Sequence, residues 1–444
     1  MNKIFTIGLL ICFPFILNSH VLLEPEDGRV YHGVQTMTFE SGTDPLAGYL
    51  SVINDSTIQP AVRGLFFSIP GTRGPDKSLK ELANFYKSAD SIGFIPELSL
   101  FFVSDVATDS IIAVSNQYDW IIDSIITMSK NYGRRMFLRI GGEFNGSGPG
   151  WNGGGYHPYY YVTMFKKITD MLAAKGLRDS IAVIWCYEPD AANNFDSVDA
   201  RGYLWYPGDE YLDWFGLDVF DAQHFDLSLP DSTGRIITKK GKSERFLSMA
   251  RTKGKSVYMS ETSAKGINIT ADNNDGINDW NNWFAKFWEF IDVHKEIKGF
   301  SYIDANWPTG AYPGWGDARI QNSPYIVNKY KEEMRKSKYI HLPYKQPSSV
   351  ELPDNNWGDK LYCNIYPNPF SSELKIEFSL KTTSFVNISI YDSFGREAAR
   401  FINEQKFPGN YTVEINCNNL SSGIYYCRFL INNYVYSQKL VLIK

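Results

Sequence analysis

Two glutamates close β-rich apolar runs in the same way: Glu143 follows "RRMFLRIGG" and Glu261 follows "SVYMS". A pair of carboxyl groups suits glycosidic bond cleavage, where one protonated group donates to the leaving oxygen and one ionised group attacks the anomeric carbon. In a retaining reaction the two sit roughly 5 to 5.5 Å apart. Their surroundings must also push their pKa values apart. Neither glutamate is informative alone, because carboxylates at strand ends are common. The information lies in where each falls when the elements are counted along the chain.

Eight β-rich apolar runs alternate with segments of helical period: 30–37, 62–69, 94–102, 136–140, 181–187, 214–219, 256–260 and 299–304. The spacing predicts helices over 78–92, 118–132, 159–175, 243–253 and 280–295. Gly93, Gly133, Gly176 and Gly254 fall where a left-handed cap would stop four of them, and Ser78 with Glu81 reads as a capping box. Parallel strands buried on both faces read as continuous apolar runs, so eight such units predict a (β/α)8 TIM barrel. An open doubly wound sheet is the competitor, but no Gly-rich phosphate loop follows the first run. Chemistry in a barrel sits at the C-terminal ends of its strands, which places Glu143 after the fourth, Glu261 after the seventh, and both in one pocket.

The chain of 444 residues divides into four stretches. Residues 1–20, with Lys3 ahead of "IFTIGLLICFPFIL", read as a secretory signal. Cys12 is not a lipidation site, because Ile11 before it is not small. Residues 21–343 hold the barrel, 344–360 form a polar, Pro-containing linker, and 361–444 carry five short β-rich stretches at the spacing of a small β-sandwich. No later stretch approaches the ~20 apolar residues of a spanning helix. Of five cysteines, Cys363, Cys417 and Cys427 lie near the C-terminus and could form one disulfide. The net charge of −5 and the absence of a Lys/Arg block give no footprint for nucleic acid. Aromatic residues make up 15% of the chain; most are core, and those in strand-end loops are candidates for stacking on sugar.

"FLRIGGEFNG", "YPGDEYLDWFGLDVF" and "VYMSETS", in this order, resemble glycoside hydrolase family 26, and the resemblance spans roughly the whole barrel. It implies Glu143 as acid/base and Glu261 as nucleophile, Arg139 and Asn145 as polar supports, and Trp307 as the ring under a bound sugar. The family has His before its acid/base and Tyr near the end of strand six, whereas this chain has Gly142 and Phe220. The activity implied is that of a secreted retaining endo-β-glycanase on plant or algal polysaccharide. β-1,4-Mannan comes first, and β-1,3-xylan and mixed-linkage β-glucan are the other substrates. A catalytically silent glycan-binding protein at the cell surface is the alternative.

Further carboxylates and rings stand beside the pair. Glu188 follows the fifth run and reads as a substrate contact, while Glu97, Asp218 and Asp304 read mainly as structural. The loop "NGSGPGWNGGGYHPYYY" brings Trp151, Tyr156 and His157 beside Glu143, with Trp151 a candidate for a sugar subsite. "ADNNDGIND" departs from a calcium loop at Ala271, so neither metal nor cofactor is expected. Residues 361–444 resemble the C-terminal sorting domain of type IX secretion cargo, on "IYPNPF", "ISIYDSFGRE", "LSSGIYYCRF" and the terminal "QKLVLIK". That implies the type IX machinery as a partner, and secretion or attachment at the outer-membrane surface.

Overall fold

The structure, a computed structural model, describes residues 21–26, 28–35, 45–70, 74–102, 109–145, 156–190, 195–200, 202–267, 269, 276–307, 312, 314–342, 361–380, 383–392, 397–431 and 434–444. The signal reading, the linker, Trp151 and Ala271 lie outside the described residues. The chain forms two compact units, 1–346 and 347–444.

In the first unit the eight predicted runs are parallel strands: β1 (Val30–Gln35), β2 (Val62–Ile69), β3 (Ile95–Phe102), β4 (Met136–Glu143), β5 (Ile181–Tyr187), β6 (Trp214–Leu217), β7 (Ser256–Thr262) and β8 (Ile297–Tyr302). Each pairs with the next, and β8 returns to β1 through Tyr31 to Gly299 and Val34 to Tyr302. The sheet is therefore a closed barrel, not the open competitor. Helices α1 (Pro45–Ile53), α2 (Pro75–Ile92), α3 (Asp109–Val114), α4 (Asp119–Tyr132), α5 (Pro158–Ala174), α6 (Lys239–Thr252), α7 (Ala285–Val293) and α8 (Pro324–Met334) lie between and after the strands.

The predicted left-handed glycines occur at Gly93, Gly133, Gly176 and Gly254. Gly93 and Gly133 are the caps themselves, whereas α5 and α6 end one residue earlier, at Lys175 and Lys253. The capping box is overturned. α2 begins at Pro75, whose fixed φ suits a first helical turn, so Ser78 lies inside the helix and is buried. The start of α6 also moves, to Lys239, because Thr238 accepts the Gly241 N–H at 3.1 Å and caps it earlier.

Strand alternation sorts the barrel into two cores. Leu98, Leu138, Val183, Phe215 and Val257 face the helices, while Ile95, Phe137, Ala182, Trp214 and Tyr258 face inward and form an apolar floor. Phe137 packs edge-on against Trp214 at 5.3 Å and tilts against Tyr258 at 5.1 Å. Two residues further along the strands, the inward positions become polar: Glu97, Arg139 and Ser260, all buried. The floor seals one end, and the polar layer begins where chemistry is expected.

The second unit has seven strands, not five. β9 (Leu361–Tyr366), β10 (Glu373–Leu380) and β13 (Gly409–Asn416) form one antiparallel sheet. β11 (Ser384–Asp392), β12 (Glu397–Lys406), β14 (Gly423–Ile431) and β15 (Tyr434–Leu442) form the other. Leu374, Ile376 and Phe378 from the first share one core with Val386, Ile388 and Phe429 from the second, which makes a sandwich. β12 escapes the sequence because it is an edge strand whose residues are mostly exposed and polar. Cys417 is a buried free thiol, and Cys427 is buried in the same core.

Asp304, just past β8, is buried and accepts the Ile320 N–H at 2.8 Å. Burial pushes its carboxyl up to about 7, against that hydrogen bond. A carboxyl held above its unfolded value supports folding below the unfolded pKa and loses that support as pH rises toward the folded one. Asp304→Asn keeps the acceptor without the ionisation. Thermal unfolding of the native chain should therefore weaken between about pH 4 and pH 7 by a few kcal/mol more than that of the variant. Parallel pH curves of Tm would refute this account.

Candidate active site

Arg139 is the pivot of the polar layer. Its Nη2 donates to Asp218 Oδ2 at 2.6 Å, its Nη1 donates to Glu261 Oε1, and all three side chains are completely buried. Asp218 Oδ1 also accepts the Glu261 N–H at 2.9 Å, so one carboxylate holds both the arginine and the backbone of the second predicted glutamate. Burial pushes the Asp218 and Glu261 carboxyls up, and Arg139 opposes it in both. Glu97 lies in the same layer, held by Gln35 Nε2 at 2.8 Å, which also donates to Ser260 O at 3.1 Å. Gln35 reaches it because Gly64 has no side chain; a Cβ there would fall 1.7 Å from Gln35 Oε1. Burial pushes Glu97 up to about 7, with Arg139 pulling the other way.

Both glutamates lie within their strands, not after them, and each sits at a break in pairing. In β4 the register shifts between Arg139 and Glu143, across Gly141 and Gly142 at φ 80° and 58°. A bulge of this kind re-aims the side chain that follows it. The shift sets four residues of β4 against two of β5, Arg139 opposite Ile184 and Glu143 opposite Cys186, so Glu143 takes the same-face place next after Arg139. β7 has its own shift between Met259 and Thr262, around Glu261. Phe144 then anchors the end of β4 by stacking on Trp185 at 4.5 Å, and its N–H donates to Cys186 O at 3.1 Å.

Asn145 is a clasp between strand ends: Nδ2 donates to Glu188 O at 2.6 Å, and Oδ1 accepts the Glu188 N–H at 3.1 Å. Glu188 is thus locked next to the end of β4. Its Oε1 accepts the Asp190 N–H at 2.9 Å. Burial and the neighbouring Glu143 carboxyl push Glu188 up to about 7, with His224 pulling the other way. Although burial opposes it, contacts with His224, Lys239 and Lys265 hold Asp190 well below the usual carboxylate range.

Glu188, Asp190 and His224 bring one oxygen or nitrogen each within 4.8 Å of one another. The chemistry of these donors argues against a cation there. Lys239 and Lys265 already pair with Asp190. His224 Nδ1 faces the Phe220 N–H at 3.3 Å and accepts from it, which leaves a neutral ring's hydrogen on Nε2, toward the carboxyls.

Phe220 and Trp307 belong to an aromatic wall. Trp307 is 1% exposed, its N–H donates to Ser263 Oγ at 2.8 Å, and its ring meets Phe220 at 6.1 Å, Trp315 at 4.7 Å and Tyr312 at 5.8 Å. The half-buried rings of the wall are Tyr312 and Trp315. Burial and, after it, the Glu143 and Glu261 carboxyls push the Tyr312 phenol up to about 12. His157 instead caps α5 from an exposed position, and its backbone N–H donates to Asp109. Tyr312, Trp315, His224 and Gln35 were missed in the sequence; the "ANWPTGAYPGW" segment was the available signal for the first two.

Residues 113–295 match the family model described as glycosyl hydrolase family 26, and residues 364–444 match the one described as a secretion system C-terminal sorting domain. The chain carries a glycoside hydrolase family 26 domain. It also carries a type IX sorting domain, which marks it for export to the exterior or the cell surface. Among the described residues no helix is long and apolar enough to cross a membrane. A β-1,3-xylanase of an Alcaligenes species is 28% identical over 244 residues, covering 51% of this chain and 48% of the relative. A β-1,3-xylanase of a Vibrio species is 27% identical over 249 residues, covering 51% and 49%. The match thus spans about half the length of these relatives. An endo-β-1,4-mannanase of Cellulomonas fimi has the same fold, with TM-score 0.50 and 15% identity over 94% of this chain and 95% of that one.

Two substitutions test this family 26 site. Arg139→Met leaves Asp218 and Glu261 buried without their cation, and equilibrium unfolding at neutral pH should show a loss of ~3–5 kcal/mol. Gly142→Ala forces a left-handed conformation on a residue with a Cβ, at about 1–2 kcal/mol, and kcat should fall because Glu143 is re-aimed. Unchanged unfolding and unchanged kcat in the latter would remove the bulge from the account of the site.

Proposed function

We propose that the barrel is a retaining endo-β-glycanase. The observation that carries this reading is the pair of buried glutamates on the fourth and seventh strands of a family 26 barrel, one of them bonded to a fully buried arginine. Glu143 is the acid/base and Glu261 the nucleophile. Protonated Glu143 gives its proton to the glycosidic oxygen as the C–O bond breaks, and a Glu261 carboxylate oxygen bonds to the anomeric carbon. Water then attacks that carbon, Glu143 takes the water's proton, and Glu261 leaves, so the configuration is retained. Arg139 and Asp218 aim Glu261, Asn145 and Glu188 hold the neighbouring strand end, and the half-buried Tyr312 and Trp315, backed by the buried Phe220 and Trp307, offer ring faces to sugar. Trp151 is a candidate for an outer subsite.

For the substrate, β-1,3-xylan is the first polymer to test. The two relatives found by sequence, at 27 and 28% identity, carry that activity in their names. The mannanase likeness is one of fold alone, so β-1,4-mannan stands second and mixed-linkage β-glucan third. Export would run through the type IX machinery, which brings the enzyme to polymers too large to enter the cell.

Reducing-end release by the purified chain on β-1,3-xylan, mannan, glucomannan and lichenan should appear on one polymer. It should fall by several orders of magnitude in Glu143→Ala and Glu261→Ala, with first-formed products of β configuration by proton NMR. Full activity in Glu261→Ala would sink the assignment. Oligosaccharide binding by calorimetry without release on any polymer would instead favour a silent glycan-binding protein, the reading to which Gly142 and Phe220 lend weight.

A further inference from the structure

We propose that Lys265 is a positioning residue for sugar binding: held by Asp190, its ammonium lies on the Trp315 ring and fixes that ring as a platform for a pyranose face. This rests on the glycanase reading and names the group that sets one of its binding surfaces. Trp315 is half-buried in the segment after β8. Its ring centroid lies 4.7 Å from Trp307 and 5.0 Å from Tyr312, the phenol that the Glu143 and Glu261 carboxyls push up after burial. The indole therefore borders the carboxyl pair.

The rings of Phe220, Trp307 and Tyr312 meet Trp315 at 54°, 47° and 46°, so none of the three lies flat on its face. Lys265 does approach that face, with Nζ 4.6 Å from the ring centroid. The negative face of an indole attracts a cation in this position. A lysine stem is otherwise flexible, and an ammonium free to wander would fix nothing. Here it is tied at both ends.

The tie is a closed circuit of contacts through the segments after β5, β6 and β7. The Lys265 N–H donates to Phe220 O at 3.2 Å, and the Phe220 N–H donates to His224 Nδ1 at 3.3 Å. His224 Nε2 lies 3.2 Å from Asp190 Oδ1, and Lys265 Nζ donates to Asp190 Oδ2 at 3.0 Å, which closes the circuit. Lys239 pairs with Asp190 as well, so the carboxylate stays ionised although burial opposes it. The next residue extends the lock to the segment after β8, because the Gly266 N–H donates to Trp315 O at 2.7 Å. Two consecutive residues thus hold the backbone and the ring of one tryptophan. A ring already in place spares a bound sugar the cost of ordering it, so Lys265 acts on binding and not on proton transfer.

Lys265→Met keeps the stem and removes the charge. KM on whichever polymer is cleaved should rise about five-fold, with kcat changed by less than about two-fold. Lys265→Arg, which pairs with Asp190 and lies on an indole equally well, should restore KM. Arg178→Met is the control, since Arg178 and Asp213 form a similarly half-buried pair at 3.0 Å ahead of β5 and β6, at the opposite end of the barrel. It should lower Tm and leave KM in place. A Lys265→Met chain that behaves like this control overturns the proposal, as does a loss confined to kcat. In a Trp315→Leu background the effect of Lys265→Met on KM should vanish; an undiminished effect places the lysine's action elsewhere and refutes it. Should Lys265→Met not fold, Asp190→Asn removes the charge that holds Nζ and should raise KM in the same way, and an unchanged KM again refutes. Calorimetry of β-1,3-linked xylotetraose and β-1,4-linked mannotetraose on the full chain, in a Glu261→Ala background, reads the platform without turnover. A Kd about five-fold weaker in Lys265→Met is expected; an unmoved Kd, or binding of neither sugar, overturns the proposal. If the chain binds but cleaves nothing, the glycanase reading fails while the ratio of affinities still decides the role of Lys265.

Discussion

The ion pair of Arg139 with Asp218 and Glu261 is the constraint on which the first unit depends. A guanidinium and two carboxylates with no exposed surface would cost several kcal/mol each to desolvate if they were not matched, so their geometry must be enforced by everything around them. The barrel does this in layers. Phe137, Trp214 and Tyr258 fill the floor and exclude water from below, and the next inward residues of the same or neighbouring strands are the charged ones. Asp218 is central because it serves two partners, the arginine through one oxygen and the Glu261 backbone through the other. Glu261 is fixed at both its carboxyl and its N–H and has little freedom left to lose, which is how a rigid scaffold would contribute to rate if it is the nucleophile proposed above.

Closure of the barrel makes this arrangement affordable only if the strands can depart from their own rule at the right places. Strict alternation presents every second residue to the interior, which would give Arg139 and the residues beyond it one fixed pattern. The shifts in β4 and β7 change that pattern next to the two glutamates. Gly141 shows why the local sequence must be glycine. Its φ is 80°, and a Cβ there would lie 2.9 Å from Tyr161 Cε2. The stack of Phe144 on Trp185 then takes up the direction of the chain immediately after the bulge. Conformational strain at the site is thus held in place by aromatic packing outside it.

The parts of this molecule that were legible in the sequence are those set by local rules. The runs of Val, Ile and Phe and the left-handed glycines mark strand and helix ends within a few residues, and counting them was enough to set Glu143 on the fourth strand and Glu261 on the seventh. What the sequence hid depends on distant partners. Nothing around Asp218 in "FGLDVF" says that it bonds an arginine 79 residues away, or that His224 faces Glu188 and Asp190. Ser78 and Glu81 fit a capping pattern but lost the helix start to Pro75, a competition between two valid local signals. β12 was hidden for the opposite reason. As an edge strand it buries little and reads as polar.

Depth separates two jobs in the pocket. The charged layer is built from barrel strands around the Arg139 ion pairs, whereas the aromatic wall comes from the segments that follow β6 and β8. That wall is nonetheless stitched: the Gly266 N–H donates to Trp315 O at 2.7 Å, the Lys265 N–H to Phe220 O at 3.2 Å, and the Trp283 indole to the same oxygen at 2.6 Å. Gly316 permits the first of these contacts, since a Cβ there would sit 2.1 Å from Ile267 O. Lys265 also lies 4.6 Å over the Trp315 ring while it pairs with Asp190, which ties the wall to the cluster that supports Glu188. A change in the wall therefore acts on the carboxyls through Lys265, which pairs with Asp190, and through Tyr312, whose phenol is pushed up in part by Glu143 and Glu261. The charged layer and the aromatic wall occupy different elements here, but electrostatics couples them.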